Sequence, residues 1–354
     1  MSGFLHDSIE KWLSRKVPLR GSQNCFDYPV VLSTDIGLKR SQNQDRVAML
    51  KIGAPSGSPD SALVAVVVAD GMGGMLDGDK CADVAVSTFF SSLVRYNLYN
   101  FGSRIRMSFL EANDRVNAYA KGSGGATFTA FIINAEGRSI IAHVGDSRVY
   151  EFGGGEKTKR LTVDDSLEEA VGGHGRDLLQ FMGMGEGISP HIIEVSPSVR
   201  SLAITSDGVH YVDSKTFEDV LFFAPDIKSA VERVSALSRW CGGPDNASVA
   251  MIDVLSLMSK VCEPTDDSVQ VWDAFGQAFF DNPSVALGSL ANLKTQLKAY
   301  EKNRGVESER SQGTAKSKRP RRIRDLKTDS NSEAKVDIEI KTGTVSGDKD
   351  VGGQ

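Results

Sequence analysis

Cysteine is scarce in this sequence and is never closely spaced. The 354 residues contain four cysteines, at positions 25, 81, 241 and 262. No two of them form a Cys-x-x-Cys pair, the spacing typical of a zinc knuckle. A disulfide framework would need a much higher density of cysteine. The sequence therefore predicts a protein of a reducing compartment, the cytoplasm.

Long apolar runs are also missing. The longest, Ala62–Ala69, is far short of the roughly 20 residues that a membrane-spanning helix needs. Met1–Arg20 carries charges throughout and does not resemble a secretory signal. A hydrophobic content of 40% nevertheless suffices for a folded core. We expect a soluble protein that does not bind a membrane.

Three common catalytic motifs are absent as well. There is no Gly-x-x-x-x-Gly-Lys-Ser/Thr loop, which excludes a P-loop nucleotidase. There is no Gly-x-Ser-x-Gly elbow of a serine hydrolase, and no cysteine followed at the sixth position by arginine. If the chain catalyses hydrolysis, its nucleophile should be water.

Charge is distributed unevenly along the chain. Residues 301–354 hold 13 Lys/Arg and 10 Asp/Glu, whereas the first 300 hold 28 and 36. Within the tail, residues 316–324 contain six basic side chains in nine positions. Such a run can be a solvated linker, a nucleic-acid contact, a nuclear-type address or a docking segment for an acidic partner. The run contains no interleaved aromatic residues, so its composition does not support nucleic-acid binding.

The mixture of short strand-like runs and longer helical segments between residues 28 and 258 predicts an α+β fold. Helical spacing of apolar residues marks Asp79–Tyr96, Arg104–Ala120 and Ile227–Trp240. A five-residue connection, 134–138, joins two strands at hairpin distance, so part of the sheet is antiparallel. This mixture favours a sandwich over a doubly wound sheet. The predicted strands are Val30–Ser33, Arg46–Lys51, Ala62–Ala69, Thr127–Asn134, Ser139–Val144, Val149–Phe152, Ser201–Thr205 and Ala247–Val254.

The chain divides into four predicted regions. Residues 1–24 form an N-terminal helical extension, with apolar residues at helical spacing from Phe4 to Leu13. Residues 25–258 form the sandwich domain. Residues 259–302 form a helical extension, with helices over Asp267–Phe280 and Ser284–Lys302. Residues 303–354 form a largely disordered basic tail, because they contain almost no aromatic or core-forming residues.

Aspartates recur at the ends of the predicted strands. They are Asp45, Asp70, Asp146, Asp207 and Asp245, and each has Gly or Asn nearby. A single Asp-Gly at a strand end is usually a turn. Five in one domain suggest a shared rim, where clustered carboxylates repel one another unless cations neutralise them. Oxygen ligands without histidine or cysteine favour Mg²⁺ or Mn²⁺ over zinc.

Two such ions would activate water for attack on phosphorus. Arg40, five residues before Asp45, is suited to hold the phosphate, because its guanidinium matches two phosphate oxygens.

Seven motifs in order resemble those of the PP2C (PPM) metal-dependent serine/threonine phosphatases. The match extends from about Val30 to Val254, and Asp-Gly-Met-Gly-Gly is closer to the bacterial members. The matching motifs are Gly37-Leu38-Lys39-Arg40-Ser41-Gln42-Asn43-Gln44-Asp45, Val68-Ala69-Asp70-Gly71-Met72-Gly73-Gly74, Gly124-Gly125-Ala126-Thr127, Val144-Gly145-Asp146-Ser147-Arg148, Leu161-Thr162-Val163-Asp164-Asp165-Ser166, Thr205-Ser206-Asp207-Gly208-Val209 and Asp245-Asn246-Ala247-Ser248-Val249.

The resemblance implies a β-sandwich of two antiparallel sheets flanked by helices, with a dinuclear Mn²⁺ or Mg²⁺ centre. By this resemblance Asp70 bridges the two ions and the Gly71 carbonyl binds one. Asp207 and Asp245 hold the other ion, and Asp45 supports the metal and water network.

Two further residues receive roles by the same resemblance. Arg40 binds the substrate phosphate. Asp146, together with Asp207, forms a weaker third metal site. The implied function is hydrolysis of phosphoserine and phosphothreonine in proteins by metal-activated water. A cognate serine/threonine kinase is then an expected partner.

The sequence departs from the family pattern at two positions. Gln44 replaces the usual Glu of Asn-Glu-Asp, and Asp165 replaces the His of Asp-His-Ser. These changes motivate an alternative, a pseudophosphatase that binds phosphoproteins without hydrolysing them. The segment Leu167–Pro190 is glycine-rich, and we expect it to influence which phosphoproteins fit the site.

Overall fold

A computed structural model describes residues 2–25, 27–53, 62–72, 77–172, 177–261, 263 and 268–281. The predicted helix over Ser284–Lys302 and the basic tail lie outside these residues. No helix in the described ranges is both long and apolar enough to span a membrane.

The described chain contains strands and helices in alternating groups. In chain order the strands are β1 (Arg20–Asn24), β2 (Val30–Asp35), β3 (Asp45–Ile52), β4 (Leu63–Asp70), β5 (Phe128–Asn134), β6 (Ser139–Val144), β7 (Arg148–Phe152), β8 (Lys159–Arg160), β9 (His191–Glu194), β10 (Ser201–Thr205), β11 (Ala247–Asp253), β12 (Ser268–Asp273) and β13 (Gln277–Asp281). The helices are α1 (Ser2–Leu13), α2 (Gly78–Arg95), α3 (Phe101–Ala120), α4 (Leu167–Val171), α5 (Asp207–His210), α6 (Ser214–Phe222), α7 (Ile227–Trp240) and α8 (Val254–Val261).

The strands form two antiparallel sheets. The first has the order β1-β2-β11-β10-β7-β8, and the second β13-β12-β3-β4-β5-β6-β9. All eight predicted strands and the 134–138 hairpin between β5 and β6 are present. The predicted sandwich of antiparallel sheets with flanking helices is therefore confirmed.

Apolar side chains on both faces of the strands explain the layered packing. One buried cluster, which includes Leu32, Met49, Val66 and Ile204, fills the space between the sheets. A second cluster joins the second sheet to α1, α2 and α3, and a third joins the first sheet to α6 and α7. Central strands such as β4 are buried on both faces, which is why they read as continuous apolar runs.

The three long predicted helices and the N-terminal helix are also present. Leu5, Ile9 and Leu13 of α1 are buried in the cluster that contains α2. The side chain of Asn100 caps α3 by accepting a hydrogen bond from Ser103 N at 2.9 Å. Apolar spacing accounts for helix formation in these segments, and a side-chain N-cap adds to it in α3 and α7.

The helix predicted over Asp267–Phe280 is wrong. Residues 268–273 and 277–281 are strands, and β12 pairs with β3 over Val269–Asp273. The Asp273 carboxylate accepts hydrogen bonds from the amides of Phe275 and Gly276, which forms the turn between the strands. The apolar residues suit either periodicity over so short a stretch, and the open edge of β3 decides for strands.

The sheets thus extend past the range 25–258 predicted for the sandwich. β1 pairs with β2 on one side, and β12 pairs with β3 on the other. An ion pair ties the segment between α1 and β1 to the end of β12: Arg15 contacts Asp273 through two atom pairs, Nη1 to Oδ2 at 2.8 Å and Nη2 to Oδ1 at 3.0 Å. The Arg15 guanidinium also lies 3.9 Å from the Trp12 ring centroid.

We predict that Arg15→Ala lowers the free energy of unfolding by roughly 1–3 kcal/mol, because it leaves the buried Asp273 carboxylate without its cation. Chemical denaturation measures this. Lys215→Ala is the matched control: it removes the exposed Lys215–Asp219 pair and should leave stability unchanged. Equal stabilities of the two variants would contradict the prediction.

Candidate active site

Five aspartates converge at one end of the sandwich. Asp45 is the first residue of β3 and lies directly opposite Asp70, the last residue of β4. Asp146 occupies the turn between β6 and β7, Asp207 begins α5 after β10, and Asp245 precedes β11. Because each pair of strands is antiparallel, the end of one strand and the start of its neighbour meet at the same rim.

Asp70 is at the electrostatic centre of this group. Its pKa is raised well above the ordinary value, first by burial and then by the negative charges of Asp45, Asp207, Asp146 and Asp245. Like charges this close disfavour simultaneous ionisation. The structure therefore brings together all five aspartates that the sequence singled out.

Asp45 and Asp146 are perturbed in the same direction. Burial raises the pKa of Asp45 to about 6, although a hydrogen bond from Ser206 opposes the shift. Burial, followed by the charge of Asp207, raises the pKa of Asp146 to about 7. The site thus holds more carboxylate than it can ionise easily without added positive charge.

The donor set fits a hard divalent cation. Asp45 Oδ2 accepts a hydrogen bond from Ser206 Oγ at 2.8 Å, whereas the buried Oδ1 accepts none from the described residues. Carboxylate and carbonyl oxygens are the ligands that Mg²⁺ and Mn²⁺ prefer, and the rim offers no histidine or cysteine from the five predicted positions.

The backbone around Gly71 is closely packed. A Cβ on Gly71 would lie 2.3 Å from the carbonyl oxygen of Gly78 at the start of α2. Only glycine allows so close an approach. This packing holds the peptide between Asp70 and Gly71 at the site. Gly71 N donates to Gln44 O at 3.2 Å, so the Gly71 strand end is tied to the residue before Asp45.

Arg40 is the cation at the mouth of the site. Its Nη2 lies 2.7 Å from Asp245 Oδ2, and 39% of its side chain is exposed. The hydrogen bond to Asp245 raises the pKa of the guanidinium. An exposed guanidinium beside a carboxylate rim can bind an incoming anion without a large conformational change.

Asn246 has a role that the sequence did not reveal. Its Nδ2 donates to Ile36 O and Gln42 O, both at 2.9 Å, and its Oδ1 accepts from Gln44 N at 2.8 Å. The side chain therefore fixes the loop that carries Arg40. The Asp-Asn motif was the available signal, but only the contacts show that the asparagine holds a loop from the other end of the chain.

Arg46 is a second residue that sequence reasoning missed. Its Nε and Nη2 donate to the Asp83 carboxylate at 2.6 and 3.2 Å, and its Nη1 donates to the carbonyls of Asn43 and Asp45. These contacts anchor the start of β3 to α2. No motif carried this information, because Asp83 lies 37 residues away.

Arg148 has a structural place beside the site. Its Nη2 lies 2.7 Å from Asp164 Oδ2, and Arg160 contacts the other oxygen of the same carboxylate at 2.6 Å. The guanidinium is committed to this buried carboxylate and so is not positioned as a second phosphate ligand.

A family model described as Protein phosphatase 2C matches residues 39–241, more than half of the chain. The chain belongs to the protein phosphatase 2C family. The predicted membership of this family, whose enzymes are metal-dependent serine/threonine phosphatases, is confirmed.

Bacterial relatives match over most of their own length. The protein phosphatase PhpP of Streptococcus pneumoniae is 25% identical over 246 residues, covering 64% of this chain and 97% of PhpP. The serine/threonine phosphatase Stp of Listeria welshimeri is 26% identical over 250 residues, covering 64% and 96%. The solved serine/threonine phosphatase of S. agalactiae superposes with a TM-score of 0.53 at 26% identity, covering 63% and 97%. The predicted similarity to bacterial members is thus confirmed.

The raised pKa of Asp146 predicts a pH dependence for the metal-free protein. Because the folded pKa of about 7 exceeds the ordinary 3.8, the folded state binds more protons between about pH 4 and 7. The free energy of unfolding should therefore fall as pH rises through this window. Asp146→Asn removes the titrating group, so at pH 8 in EDTA the variant should be more stable than the wild type by roughly 1–3 kcal/mol.

Urea denaturation of both proteins at several pH values checks this expectation. The difference in stability should shrink toward pH 4, where the wild-type carboxyl is protonated. A difference that does not change with pH would contradict the prediction.

Proposed function

We propose that this chain hydrolyses phosphoserine and phosphothreonine in proteins, using two Mn²⁺ or Mg²⁺ ions held by the aspartate rim. One observation carries the proposal: Asp45 and Asp70 face each other across β3 and β4, and the charges of Asp146, Asp207 and Asp245 act on Asp70. A partly buried anionic cluster of this kind is a poor structural element and a good cation site.

The central position of Asp70 supports its assignment as the carboxylate that would help to hold both ions, with the Gly71 carbonyl beside it. We assign Asp207 and Asp245 to one ion and give Asp45 a supporting role through its unbonded oxygen. Asp146, with Asp207, is assigned to a weaker third site. When bound, the ions lower the pKa of the attacking water and offset charge on the phosphate.

Arg40 has the role of holding the phosphate. Its guanidinium is paired with Asp245 and is partly exposed. Where Asp245 helps to hold a cation, the Arg40 guanidinium would be available to two phosphate oxygens. Asn246 keeps the Arg40 loop at the correct distance from the aspartates by its three backbone contacts.

The pseudophosphatase alternative has little support in this site. All five predicted carboxylates are present at the rim. Gln44, which motivated the alternative, contributes its backbone carbonyl to Gly71, and this contact does not depend on its side chain. The partners that follow from the proposal are phosphoserine and phosphothreonine proteins and a cognate serine/threonine kinase, in the cytoplasm.

Asp207→Asn should abolish the metal-dependent activity. We expect the wild type to hydrolyse p-nitrophenyl phosphate with Mn²⁺ and to lose this activity in EDTA. The variant should be slower by at least roughly 100-fold, because a charge that holds the cation is gone. Asp213→Asn is the matched control: it replaces the exposed N-cap of α6 with another good cap and should leave the rate unchanged. Equal, background-level rates for wild type and Asp207→Asn would refute the proposed phosphatase activity.

Arg40→Ala should separate substrate binding from metal binding. The KM for a phosphopeptide should rise roughly tenfold, through loss of charge-assisted hydrogen bonds to the phosphate. Mn²⁺ affinity, measured by calorimetry, should be equal or higher, because Asp245 loses its competing cation. An unchanged KM, or a large loss of Mn²⁺ affinity, would argue against this role.

A further inference from the structure

Residues 177–191, here called the return segment, follow α4 in the chain and lead into β9. Two short backbone bridges hold this segment, Ser166 with Leu178 and Ala126 with Met182. The buried side chain of Asn113 on α3 adds three contacts: its Oδ1 accepts from Gly183 N and Gly185 N, and its Nδ2 donates to Gly185 O.

The return segment lies next to the backbone of the aspartate rim. Ala126 forms bridges with both Met182 and Gly71. Met72 N donates to Gly125 O at 3.0 Å, and Met182 N donates to Ala126 O at 2.8 Å. One extended stretch of chain therefore separates the return segment from the proposed metal-binding carbonyl.

Asp165 makes a second connection, to the turn that carries Asp146. Its Oδ2 accepts from Gly145 N at 3.0 Å. Its Oδ1 accepts from Gln180 Nε2 at 3.1 Å and from His191 Nε2 at 2.8 Å. The side chain is 8% exposed, so water cannot easily replace these bonds.

The main chain of Asp165 also bonds both to the turn at Gly145 and to the return segment. Its N donates to Gly145 O at 2.8 Å, and its O accepts from Leu179 N at 2.7 Å. Gly145 has a φ of 103°, a conformation that glycine adopts without strain. The turn is thus shaped by Gly145 and held from one side by Asp165.

Three donors aimed at one side chain require an acceptor-only group. A carboxylate offers two oxygens that accept several hydrogen bonds, whereas a neutral imidazole offers one acceptor nitrogen. The histidine usual at this place in the family could not satisfy Gly145, Gln180 and His191 together. The aspartate is therefore matched to this chain's own return segment.

We propose that Asp165 is a positioning residue that fastens the return segment to the Gly145–Asp146 turn and so sets the fit of the phosphoprotein substrate. The second part of this inference rests on the proposed phosphatase function. Asp165 does not touch the reacting groups. It acts by fixing two structures on the same side of the site, the turn that carries Asp146 and the chain that borders Gly71 through Ala126.

Amide hydrogen exchange tests the fastening without catalysis. Asp165→Asn keeps the shape but places an NH₂ group against at least one of the three donors. Exchange at Gly145 and Leu179 should accelerate by about tenfold. His191→Ala removes one partly exposed donor, and it should accelerate exchange at Leu179 but not at Gly145. Glu169→Gln on α4 is the control, because it loses only the ion pair of Glu169 with Arg160.

Steady-state kinetics tests the effect on substrate fit. In Asp165→Asn the KM for a phosphorylated protein should rise by about tenfold, and the KM for p-nitrophenyl phosphate should stay within about twofold of wild type. We expect this difference because a polypeptide is long enough to reach the return segment, whereas p-nitrophenyl phosphate is not.

The outcomes are distinct. Unchanged exchange at Leu179 in both Asp165→Asn and His191→Ala would overturn the fastening. A parallel rise in KM for both substrates, or an unchanged KM for the phosphoprotein, would overturn the role in substrate fit. If the wild type hydrolyses neither substrate, the proposed function fails, and the exchange rates still decide whether Asp165 fastens the segment.

Discussion

Repulsion among partly buried carboxylates is the constraint on which this structure depends. Asp45 and Asp70 are cross-strand neighbours, and three further aspartates act on Asp70. Directly opposed like charges destabilise a sheet, so the packing elsewhere must offset this cost. It does so through three buried clusters that cover both faces of each sheet. The same packing sets the strand register, because a slip by one residue would turn apolar side chains to the wrong face.

The unfavourable charge becomes useful once it is confined to one rim. A site that is costly to ionise without a cation is preorganised to take one. Arg40 compensates part of the charge by pairing with Asp245, and Asn246 and Arg46 hold the loops that bring Arg40 and Asp45 to the rim. The replacement of the family's histidine by Asp165 fits this arrangement, because Asp165 holds the surrounding chain and leaves the five rim aspartates in place.

Prediction from sequence succeeded where residue type and local spacing decide the structure. The apolar runs of the central strands and the helical spacing of α2, α3 and α7 have one satisfactory interpretation each. It failed at 268–281, where short apolar stretches suit a helix or a strand and the free edge of β3 selects the strand. It also missed Ser206, Asn246 and Arg46, whose partners lie far away in the chain.

Side-chain type and period are enough to predict the antiparallel sandwich, the aspartates at the strand ends and their chemical preference for a hard cation. The folded chain is needed to show which aspartates face each other, which of them Arg40 neutralises, and how Asp165 joins the return segment to the Gly145–Asp146 turn. These are contacts between residues distant in the chain. Their geometry depends on the register of the sheets and on burial, and neither is encoded in any local pattern.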